Sequence, residues 1–142
     1  NWLHAKGIRF DLLPQAQIIS AANSLQNSND YLMADKLYSI ALVRNNIDAD
    51  LYLLRASNRL RVGKVAQAIN DLQSAKKIFI LYADTTKAET VSTTILEVER
   101  LSSEQDNRKD NNGLGIEFLE ATSRFLPLLH NLGSKMLLPL LF

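Results

Sequence analysis

The chain has 142 residues, with 16 Lys and Arg against 15 Asp and Glu, a formal net charge of +1. That balance supplies neither the basic field of a nucleic-acid binder nor an acidic tail. An apolar fraction of 46% with 22% charged residues belongs to a chain that can bury a core. The absence of cysteine excludes a disulfide framework, a thiolate metal site and a cysteine nucleophile. No apolar run reaches the roughly 18 residues that span a bilayer. The first residues, "NWLHAKG", carry no initiator methionine, so the expectation is a piece or processed form of something longer.

From residue 14 to 104 the chain has hardly any glycine or proline, and its apolar residues recur at helical rather than alternating spacing. Pro14 suits the first turn of a helix over about 14 to 28. A second helix is predicted from about 30 to 44. Asp48 or Asp50 caps a third at about 49 to 62, and Gly63 ends it by entering the left-handed region. A fourth spans about 64 to 81, and Asp84 opens a fifth over about 84 to 104. The polar stretch "QDNRKDNNGLG" at 105 to 115 reads as a linker, and a leucine-rich segment occupies 116 to 142.

Within the helical part, small and bulky residues recur at a spacing of 34: Ala22 with Ala56, Ala34 with Ala68, Ala41 with Ala75, Ile18 with Tyr52, Tyr38 with Leu72. The turn residue Asn29 falls opposite Gly63 in the same register, and both enter the left-handed region readily.

This pattern resembles the tetratricopeptide repeat, a 34-residue antiparallel helix pair with small residues where the helices touch. Tyr52, Ala56, Gly63, Ala68, Leu72 and Ala75 match its positions in the unit at about 49 to 82. Ala22, Ala34, Tyr38 and Ala41 match those in the unit at about 15 to 48, where Asn29 replaces the turn glycine. Arg55 and Arg59 depart from the family's leucine and tyrosine. The resemblance implies an all-α fold: helix pairs stacked as a short right-handed superhelix over residues 1 to 104, with 84 to 104 as the closing helix. Val91, Ile95, Val98 and Leu101 form that helix's covering stripe, and Thr93, Glu97, Glu99 and Arg100 its solvent side.

The resemblance also implies a binding surface, because the first helix of each pair lines a concave face that grips peptides or partner helices. Its residues are then Ile19, Asn23 and Gln26 from the first unit, Leu53, Ser57, Leu60 and Arg61 from the second, and Lys87 and Val91 from the third. Asn23 matches an asparagine with which some members clamp a peptide carboxylate, but Ile19 replaces the clamp's lysine, so a chaperone tail is not the expected ligand. Arg55, Arg59 and Arg61 form a basic cluster. It reads as a ridge paired with Asp48, Asp50 or Asp71, or as a site for an acidic partner.

Catalytic chemistry has no foothold. His4 and His130 lie far apart, and neither has a second histidine at metal-ligand spacing. "NNGLG" lacks the lysine and strand of a phosphate loop, and no serine sits in a nucleophile elbow. No cofactor, metal or catalytic residue is therefore assigned, and the expectation is a non-enzymatic protein-binding module, part of a larger chain, complex or homo-oligomer. In the C-terminal segment Leu119, Phe125, Leu129, Leu132, Met136 and Leu140 share one helical face opposite Glu117, Glu120, Arg124 and Lys135. Phe125, Leu129 and Leu132 are its expected contacts. Such a stripe packs on the array in cis, docks on a partner or lies on a membrane surface, so the location is read as intracellular or membrane-peripheral.

Overall fold

A computed structural model of the chain describes residues 10–108. After a single 3-10 turn at Phe10–Leu12 come five helices: α1 (Gln15–Asn27), α2 (Tyr31–Arg44), α3 (Ala49–Arg61), α4 (Val65–Leu81) and α5 (Thr85–Arg108). Among the described residues there is no strand, and this part of the chain is all-α. The principal contacts run α1 to α2, α2 to α3, α3 to α4 and α4 to α5. Turns of three or four residues join these touching helices, so each helix reverses the direction of the one before it.

The local chemistry explains the boundaries. The Pro14 carbonyl accepts the Gln17 and Ile18 amides at 3.0 and 3.1 Å, so proline stands just outside the first turn of α1. Asp30 caps α2 by accepting the Met33 amide at 3.4 Å, and Asp48 caps α3 by accepting that of Asp50 at 3.0 Å. Asp84 does the same for α5, taking the Lys87 amide at 3.2 Å. α5 runs to Arg108, four residues into the stretch that reads as linker.

Three turns share one geometry. Asn29, Gly63 and Ala83 have φ of 66°, 78° and 60°. In each turn the following amide reaches back five residues: Asp30 to Leu25 at 2.8 Å, Lys64 to Arg59 at 2.9 Å, Asp84 to Phe79 at 2.8 Å. This closure satisfies carbonyls that the helix end would otherwise leave bare, and it needs one left-handed residue. Asn29 and Gly63 fill that role as the sequence predicts. Ala83 fills it against its own preference, since a Cβ is disfavoured there.

Ala22, Ala34, Ala41, Ala56, Ala68 and Ala75 are all fully buried. A methyl group is the largest side chain that lets two helix backbones approach closely, which is why alanine recurs at these contacts. Around them lie Ile18, Leu37, Tyr38, Leu51, Leu54 and Leu72, also with almost no exposure. On α5, Val91, Ile95, Val98 and Leu101 are buried, while Thr93, Glu99 and Arg100 are exposed and Glu97 is half-buried.

Candidate interaction face

The intervals between Ile19, Asn23 and Gln26 place them on one face of α1, and those between Leu53, Ser57, Leu60 and Arg61 do the same on α3. Gln26 Nε2 donates to Ser57 Oγ at 3.0 Å, so these two faces meet directly. From α2, the Tyr38 hydroxyl donates to Asn23 Oδ1. Burial pushes the Tyr38 phenol well above its usual pKa, and the nearby Arg61 charge only partly opposes that. Lys87 and Val91 occupy the first turns of α5, with Thr94 buried one turn further on.

Ile19, Asn23, Gln26, Leu53, Ser57, Leu60 and Val91 are all buried, and Arg61 and Lys87 are half-buried. The face read from the sequence as a binding wall is therefore closed, and Arg61 and Lys87 are its only residues that are half-buried rather than buried. Closure is most complete on α3, where none of the 13 residues is exposed. Closure leaves polar atoms behind. Gln26 Oε1, Arg61 Nε and Lys87 Nζ are buried with no hydrogen-bond partner among the described residues. Lys87 Nζ lies 3.6 Å from an Asp84 oxygen and 5.6 Å from the centre of the Phe79 ring.

The opposite side of α3 holds the arginine cluster. Arg55 grips Asp71 of α4 through Nε at 3.0 Å and Nη2 at 2.7 Å, and its Nη1 donates to Ser39 of α2 at 2.9 Å. Arg59 donates to Asp71 at 2.9 Å and to Asp35 of α2 at 2.8 Å. Burial works to lower the Arg55 pKa, but the hydrogen bonds and charge of Asp71 outweigh it and hold the pKa above its usual value. Two arginines and two aspartates thus tie three helices with no net charge, while Arg61, the third cation of the expected cluster, lies on the first-helix face. Asp71, one of the three expected aspartates, pairs with both Arg55 and Arg59. Asp48 caps α3, and Asp35 and Ser39 were not anticipated. The available signal was the interval from Arg55 to Arg59, which aims two cations into the seam where α2 and α4 meet α3.

No protein-family model matches the chain, and no match is found among curated proteins or solved structures. Among the described residues no group of three or more His, Asp or Glu side chains could hold a metal ion. No described helix is long and apolar enough to cross a membrane. Phe125, Leu129 and Leu132 lie outside the described residues.

Proposed function

We propose that the chain is a tetratricopeptide-like interaction module, two helix-pair units closed by α5 and stacked in a right-handed sense, that seats an amphipathic helix or peptide on its first-helix face. The carrying observation is α3. Its Arg55 and Arg59 side is braced by α2 and α4, and yet Leu53, Ser57 and Leu60 on the other side are buried as well. Apolar Leu53 and Leu60 beside polar Ser57, Asn23 and Gln26 make a surface of mixed character, which suits an amphipathic helix better than a charged tail. The segment 116–142 has the matching stripe, and the reading gives Phe125, Leu129 and Leu132 the role of its contacts on this face. In this reading the protein is a non-catalytic adaptor, with the segment as the resident helix that a partner helix displaces.

A photo-crosslinking amino acid placed at Arg61 of the full chain tests this. Crosslinks mapping to residues 116–142, or to a helix of a partner added to the sample, are expected. Crosslinks confined to α1–α5 refute the reading. The second reading, a membrane-accessory domain, is favoured by the amphipathic run "FLPLLHNLGSKML". It predicts flotation with liposomes that disappears when Phe125, Leu129 and Leu132 become serine, whereas the adaptor reading predicts no flotation.

A further inference from the structure

The polar groups that closure leaves on the first-helix face gather at one end of it. Gln26 reaches across from α1 to Ser57 on α3, and Arg61 stands four residues beyond Ser57, one helical turn along the same side of α3. The Arg61 charge is felt at the Tyr38 phenol, whose hydroxyl bonds Asn23, three residues before Gln26 on α1. Lys87 stands on α5, and the Asp84 carboxylate lies 3.6 Å from its Nζ.

Two atoms of this node are unmet among the described residues. Gln26 is 0% exposed, and once its Nε2 has donated to Ser57, its Oε1 is left as a buried acceptor without a donor. Arg61 Nε is a buried donor without an acceptor. Buried polar groups are normally paired, so the two together specify what fits between them. A carboxylate would answer Arg61 but turn a second acceptor on Gln26 Oε1. An ammonium would answer Gln26 but meet the guanidinium charge. A neutral group that both donates and accepts, a hydroxyl or a carboxamide, answers both.

Such a group interrupts the apolar stripe of residues 116–142. The stripe through Leu119, Phe125, Leu129 and Leu132 has one polar member, Thr122, three residues from Leu119 and three from Phe125. The tether allows it to reach the node. Successive helices reverse, so α5 runs the same way as α3 and leaves the stack at the end where Arg61 stands. Seven residues, 109–115, lead from there into the segment, and at roughly 3.3 Å each they span up to about 23 Å.

Resting on the proposed seating of this segment on the face, we propose that the Thr122 hydroxyl is the pin that sets its register, donating to Gln26 Oε1 and accepting from Arg61 Nε. A slip of one turn along the groove would bring an apolar side chain onto both polar atoms. The node also defines the partner that displaces the segment: a helix whose apolar stripe is broken once by Ser, Thr, Asn or Gln, and not by a charged residue.

NMR on the full chain, isotopically labelled, tests the pin with Thr122→Val, which keeps the shape and removes the hydroxyl, and Thr122→Ser, which keeps the hydroxyl. Nuclear Overhauser contacts from Phe125 and Leu129 to Leu53 and Leu60 are expected in the native chain and report the seating itself. Thr122→Val should move the Arg61 Nε–H and Gln26 side-chain amide signals and speed amide exchange across 116–142 by roughly fivefold. Thr122→Ser should leave those signals near their native positions and the exchange within about twofold. Seating contacts present, with Arg61 and Gln26 signals that ignore Thr122→Val or that respond equally to Thr122→Ser, would overturn the pin and leave the seating intact. No seating contacts in the native chain would overturn both.

Discussion

Replacing Asp71 by asparagine keeps its size and removes one charge from the centre of the brace. The Asp71 side chain is 3% exposed, and those of Arg55 and Arg59 are 17% and 15%. Three charge-assisted hydrogen bonds, at 3.0, 2.7 and 2.9 Å, lose their anionic acceptor. Two guanidinium groups are then left with Asp35 as their remaining carboxylate in the cluster. Breaking a buried pair costs about 3 to 5 kcal/mol. Water still reaches the outer edges of both arginines, so the expected loss is lower, about 2 to 4 kcal/mol. Urea unfolding followed by circular dichroism reads it directly. With an m-value of about 2 kcal/mol per molar, a loss of about 3 kcal/mol lowers the midpoint by about 1.5 M. Arg100→Gln, which removes an exposed pair with Glu97, is the control and should leave the midpoint in place. A loss below about 1 kcal/mol for Asp71→Asn would refute the bracing role. The triple change of Asp71→Leu, Arg55→Met and Arg59→Met should recover much of the stability, because an apolar replacement has no ions to desolvate.

Other outcomes follow from single sites. Ala83→Gly should stabilise by about 0.5 to 1 kcal/mol in thermal unfolding, by relieving the left-handed alanine. Gly63→Ala should cost about 1 kcal/mol even though its new methyl would meet no atom within 4 Å. Ala68→Leu overpacks a fully buried contact and should cost about 1 to 3 kcal/mol. Ala66→Leu, on the exposed side of α4, should stay within about 0.5 kcal/mol, and equal melting temperatures for the two would show the wrong helix face. Tyr38 keeps its proton in the folded state when the unfolded chain releases it near pH 10, so its contribution is full below that pH and is lost as pH rises above it. Tyr38→Phe should therefore flatten the alkaline fall in stability, and parallel curves for the two proteins would contradict the burial argument.

The helices could be read from the chain because their signals are local. Asp48 and Asp84 cap, Gly63 stops, and alanines mark contacts, all within a few residues of where they act. Ala83 carries no such mark: its left-handed backbone is imposed by the turn that Asp84 closes, and alanine ordinarily signals helix. The partner of Arg59 was missed for a different reason. Asp35 lies 24 residues away, and pairing them requires the rotation of α2 against α3, which no interval within either helix reveals. Gln26 of α1 and Ser57 of α3 do meet, but whether a face is open depends on everything packed around it, which intervals within one helix do not carry.

Because each helix chiefly touches the ones before and after it in the chain, most native contacts between helices close short loops. Little chain entropy is lost before a contact forms, which places this protein among fast folders. The same mainly neighbour-to-neighbour arrangement lets stability vary along the stack. The α3–α4 pair, held on both sides and braced by Asp71, should be the last to exchange its amide hydrogens with solvent, while α1 opens first. A chain built this way can release an end helix without unfolding its middle.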